Sequence, residues 1–303
     1  MHRLGEFILR GRWHAVLIAF ALTFIPLLSW LGAVIMGLVT LRKGPKEGGM
    51  VALAISLPAI VWAFLGHPQV LLGNVLYGSL LVYIAALCLR ILPSWRIVLQ
   101  VTVLMGIAGV LVTHLVIHDV VVAWIHYYQQ LAKTAGQLLG SAGLEQGREN
   151  WRMLKAALEQ PYVVQTMAKM STGIFIAFNI LGSLLNLVIA RLWQAALYNP
   201  GGLRRELLII RLHSAWIGVW LIDLLGIWGH VNLAWDILPL LFLLFLPAGL
   251  SVVHASLAKR SKPWFWIISF YAVLILLSPY SVIALILVAV LDSVVDLRQR
   301  FSY

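Results

Sequence analysis

The sequence predicts an all-α polytopic membrane helix bundle of about eight to ten segments, with short helical hairpins at its N- and C-terminal ends. Three observations carry this expectation. Hydrophobic residues make up 62% of the 303 and charged residues 11%, where a soluble domain holds about 45–50% apolar and about 25% charged residues. A polar surface cannot be built from such a chain. The apolar residues gather into runs of helix length, and Lys and Arg fall between those runs in a pattern that alternates along the chain. No linker-like or low-complexity block interrupts it, so residues 1–303 read as a single membrane domain.

The elements follow in order. The basic start MHRLGEFILRGRW leads into an apolar run from Ala15 to Leu41. That run is longer than the roughly 7–15-residue core of a cleaved signal, so this region is expected to stay in the mature protein. It is also too long for one ordinary span and is broken at Pro26 and Ser29-Trp30, because proline removes a helical hydrogen bond. Single spans are expected at 50–65, 70–89, 97–117, 170–190, 212–229 and 237–257. The run 264–291 is broken at Ser278-Pro279-Tyr280-Ser281. Both broken runs have Lys or Arg at each end. If basic ends face the cytoplasm, each run must return to the side it entered and is a hairpin of two short helices.

Both termini are then cytoplasmic, and 17 of the 22 Lys and Arg lie on that side. Lys133, Arg148, Arg152, Lys155 and Lys169 are the five outside, all in or beside one long loop. Orientation thus accounts for the net charge of +11 and leaves no call for a nucleic-acid partner. Trp13, Trp95, Trp193, Trp264 and Trp266 would mark the inner interface, and Trp30, Trp62, Trp124, Trp228 and Trp235 the outer one. The lone Cys88 excludes an intramolecular disulfide and a cysteine-based zinc site. The surroundings implied are a lipid bilayer, specifically the bacterial cytoplasmic (inner) membrane.

Residues 118–165 form an extracytoplasmic helical insertion in that domain. Val121, Trp124, Ile125, Tyr128, Leu131 and Leu138 recur at helical spacing, so the preceding membrane helix is expected to continue or to lie along the interface. Gly140–Gly147 breaks the pattern, and a second short helix is expected at 148–160, ending before Pro161. These helices are either a lid or partner surface, or a shield over the bundle.

Polar groups that a membrane must tolerate mark the candidate sites. In VWLIDLLGIWGH (219–230) Asp223 lies six residues from the outer end, about 9 Å deep. Facing lipid, an ionised carboxylate costs about 2.5–3.5 kcal/mol, so Asp223 is expected to point into the bundle at the level of Thr172 and to line a cavity. Thr172, Asn179 and Asn186 are its expected partners, and the amides Asn74 and Gln100 could line the same space. His114 and His118, one turn apart, could ligate a divalent metal with Asp119 or Asp236. No nucleophile elbow, phosphate loop or dinucleotide turn is present, so no enzyme activity and no cofactor are expected. Asp292, Asp296, Arg298 and Arg300 read as a charged helix end with Asp296 and Arg300 at i,i+4.

The opening hairpin that ends in LRKGPKEGG (41–49) and the closing LLSPYSVIALILVAVLDSVVDLRQR (276–300) resemble the YybS-like bacterial membrane proteins, a family of unknown function. That family is distantly similar to the substrate-binding S components of energy-coupling-factor vitamin transporters. The resemblance implies binding or transport of a small molecule or lipid. It also implies that the small-residue stretch Ala15/Ala19 could dock a membrane protein partner, since such spacing lets helices approach closely. The reading from a different class is a non-transporting envelope scaffold that holds a partner with the 118–165 helices.

Overall fold

The computed structural model describes residues 2–66, 79–141, 151, 156, 160–258 and 260–300, and those residues are mostly helical, without strands. Four helices are long and apolar enough to cross a membrane, and one bent pair makes a fifth such unit. This is a multi-pass membrane protein. Among the described residues, Arg12–Thr23 and Ala215–Trp228 form apolar helices too short to cross alone, and the span expected at 70–89 lies partly outside the described residues. The chain divides into two compact units: 1–104, 178–218 and 242–303 form the first, 105–177 and 219–241 the second.

In the first unit, α1 (His2–Arg10) is an amphipathic helix whose Ile8 is buried. Gly5 lets it approach α8, since a Cβ there would stand 2.8 Å from the Trp193 indole nitrogen. The opening hairpin forms as expected from α2 (Arg12–Thr23), a 3-10 turn at Pro26–Leu28 and α3 (Ser29–Lys43). Ala15 and Ala19 are fully enclosed, because Ala19 faces Gly32 so closely that a Cβ at 32 would lie 3.2 Å from its carbonyl oxygen. Their small faces are therefore covered by this chain itself, and the expectation that they dock a partner is corrected: close approach serves the hairpin.

LRKGPKEGG is a helix–helix turn. Gly44 adopts φ +105°, a conformation that favours glycine, and Pro45 opens α4 (Pro45–Phe64) at its first turn. Gly48 clears the path of Thr40, whose Oγ1 would lie 2.0 Å from a Cβ. Arg90 of α5 (Leu80–Ile91) donates to the Leu41 carbonyl at 2.6 Å, capping the orphan end of α3.

α6 (Trp95–Val116) is followed by α7 (Val120–Ser141) after a break at 117–119. Asp119 makes that break a helix start: its Oδ1 accepts from the Val122 N–H at 3.0 Å, an N-terminal cap. The expected helix at 148–160 lies almost wholly outside the described residues. Pro161 begins α8 (Pro161–Tyr198), 38 residues long and so about 57 Å. The span expected at 170–190 is the middle of this helix. A short α9 (Gly202–Leu207), α10 (Ala215–Trp228) and α11 (Asn232–Leu257) follow. The closing run is α12 (Pro263–Leu276) and α13 (Tyr280–Val295), bent by 119° between them, then α14 (Leu297–Arg300).

The closing helix end forms a clasp, while the Arg300 side chain expected to pair with Asp296 lies outside the described residues. Arg211 donates to Asp296 Oδ2 at 2.8 Å and to the Asp292 carbonyl at 2.9 Å. Arg298 donates to the Leu208 carbonyl at 2.6 Å and to that of Ile210. Ile267 and Tyr271 of α12 line one cavity with residues of the 199–211 segment. Trp95 is buried and donates to Glu206 at 3.1 Å.

Candidate functional site

Two polar centres and one apolar cavity stand out. In the second unit α6, α8 and α11 meet at Asp236, which is 1% exposed. His114 Nε2 lies 2.8 Å from Asp236 Oδ2, and the Gly173 backbone N–H donates to Oδ1 at 2.8 Å. Both carboxylate oxygens are thereby engaged. Gly173 makes the approach possible: a Cβ there would fall 1.8 Å from the Asp236 carbonyl oxygen. Beside it Trp124 donates to Thr172 Oγ1 at 2.9 Å, and the Tyr128 and Ser171 hydroxyls lie 2.6 Å apart. These bonds tie α7 to the outer part of α8.

Asp223 is buried at 7% exposure, turned into protein as its cost in lipid requires. Its Oδ2 has no hydrogen-bond partner among the described residues. Thr172 spends its hydroxyl on Trp124. Asn179, Asn186 and Gln100 belong to the first unit, and Asn74 lies outside the described residues. Asn186 lines a cavity of about 250 Å3 with Thr23, Ser29 and Ser79, while Asp223 lines none of the three cavities resolved here. His114, His118 and Asp119 have separate tasks: His114 holds Asp236, Asp119 caps α7, and His118 is exposed. Among the described residues no group of three or more His, Cys, Asp and Glu is placed to hold a metal ion.

The third feature lies in the first unit. α8, the 199–211 segment, α11 and α12 enclose a cavity of about 610 Å3, within the roughly 300–1,000 Å3 range of small-molecule sites. Its walls are apolar, with Leu192, Leu250 and Ile267 among them, and its polar groups are Arg204, Ser251, His254 and Tyr271. His254 Nε2 and the Tyr271 hydroxyl lie 3.1 Å apart, and Arg204 is close enough to His254 to act on it electrostatically. Ser251 donates to the Leu207 carbonyl at 2.6 Å.

The Arg298 contacts to Leu208 and Ile210 brace the same floor from its far side. Burial pulls the Arg298 guanidinium below its ordinary range, against Asp292 and Asp296, which raise it. Such a site suits a molecule with an apolar body and an acidic head. In the sequence Arg204 reads as an orientation charge, His254 as one of a cytoplasmic-side group with His213 and Asp292, and Tyr271 as one aromatic among many. The Asn199-Pro200-Gly201-Gly202 break with its basic pair is the cue to a folded floor. Compared with known proteins, the chain matches no family model, and no curated protein or solved structure resembles it significantly.

Proposed function

We propose that this protein sits in the bacterial cytoplasmic membrane with both termini inside, and binds or transports a small amphipathic molecule or lipid without catalysing a reaction. The carrying observation is the 610 Å3 cavity with Arg204, His254 and Tyr271 in an otherwise apolar wall. An apolar cavity with a few convergent polar groups is the usual form of a ligand site, and an acidic head would meet Arg204. The likeness of 41–49 and 276–300 to YybS-like proteins points the same way. Native mass spectrometry of the protein in nanodiscs, formed directly from cell membranes, tests the reading. An acidic amphiphile should appear as an adduct, weaken in Arg204→Gln and vanish in the cavity-filling Ala196→Phe. The absence of any adduct on the unsubstituted protein would count against it.

One observation favours the scaffold reading instead. On α7, Tyr127, Leu131 and Leu138 form an exposed stripe at helical spacing, a surface that a partner could cover. Cross-linking from Leu131 in cells separates the two: a single protein adduct with an empty cavity favours the scaffold.

A further inference from the structure

We infer that the cleft between α7 and the first turns of α8 is a binding site for a neutral saccharide. The cleft encloses about 820 Å3. Gln129, Lys133 and Gln137 stand one turn apart along α7, and Gln165 faces them from α8. None of these four side chains has a hydrogen-bond partner among the described residues. Tyr128 and Trp151 supply aromatic surface in the same cleft. Ala132 and Gly136 keep the inner face of α7 low, and Gly136 lets Trp151 pack against it, since a Cβ at 136 would lie 3.2 Å from the indole nitrogen.

The chemistry selects the ligand class. A primary amide carries two donors and a carbonyl acceptor, so three of them can each bridge neighbouring hydroxyls that both give and accept. A sugar ring also presents a C–H face that packs on Tyr or Trp, which join an apolar body to a polar tip. This site belongs to the second unit and the amphiphile cavity to the first.

Saturation-transfer NMR on the whole protein in nanodiscs tests it, with maltoside detergents avoided because their own sugars would compete. The probes are triacetylchitotriose and maltotriose in solution and, in a separate arm, a glucosyl-diacylglycerol in the disc. Transfer to sugar-ring protons is expected, with affinity at least tenfold lower in the double variant Gln129→Ala/Gln165→Ala. Ala132→Leu, which fills the hollow without touching an amide, should lose it likewise. A signal in the disc arm only assigns the sugar to a lipid; a signal in solution assigns it to a free glycan. No transfer in either arm, or transfer that both variants leave unchanged, overturns the inference.

Discussion

Two buried aspartates in the second unit solve the same problem in opposite ways. Asp236 has both oxygens matched, by His114 and by the Gly173 N–H, whereas Asp223 keeps an oxygen buried without a partner among the described residues. Asp236→Ala should therefore destabilise by about 2–3 kcal/mol, the cost of leaving a charge-assisted set unmade. Asp223→Leu should be neutral or stabilising, since it removes an unmatched carboxylate and strands nothing. Thermal unfolding of the two variants in one detergent checks the contrast, and a large loss for Asp223→Leu would show a hidden partner. If Asp223 serves a proton or a ligand, Asp223→Asn folds normally and loses function. At Gly173 even alanine should abolish folding, because the added carbon has no space against the Asp236 backbone; expression of Gly173→Ala as aggregate only is the expected outcome. Asp223 was legible in the sequence because a lone carboxylate in an oily run has a fixed cost. His114 and Asp236 read as alternative metal ligands at one level, but their direct pairing was not legible, because the two are 122 residues apart and nothing local joins them.

Among the elements, the 199–211 segment depends on contacts from elsewhere. Arg298 and Ser251 hold three of its carbonyls, while Glu206 is held by Trp95 at 3.1 Å and by Arg191. Arg298→Ala should raise amide exchange across 204–211 by roughly tenfold or more, since hydrogen bonds from a charged group are worth about 1.5–3 kcal/mol each. Exchange mass spectrometry reads this directly, and unchanged protection would remove the clasp from any role in shaping the cavity floor. Prolines and basic clusters made the opening hairpin and the bent closing pair legible, as each has a local physical meaning. Pro161 carried a second meaning: as a first-turn residue it opens a helix, which here runs to Tyr198. The amphipathic α1 was hidden by its position, where Arg3 and Arg10 read first as orientation signals.

At the scale of the whole molecule, the proposed orientation sets the outer helices and the 199–211 segment on opposite sides. In a background with Cys88→Ser, Gln137→Cys should label only from outside and Arg205→Cys only from the cytoplasm; the reverse pattern would invert the topology. The shortness of α10 has a further consequence. At 14 residues it is about 21 Å long, against a hydrocarbon layer of about 30 Å, and its Ile222, Leu225 and Trp228 are exposed. α12 and α13, of 14 and 16 residues, share the deficit. Hydrophobic mismatch of this kind is relieved by thinning the surrounding bilayer, so the protein carries a preference for membrane thickness. Reconstituted in phosphatidylcholines of graded acyl length, it should be most heat-resistant in the shorter chains. A patch of thinned bilayer beside α10 would also draw headgroups and water toward the depth of Asp223, so the lipid itself would set how wet that carboxylate is.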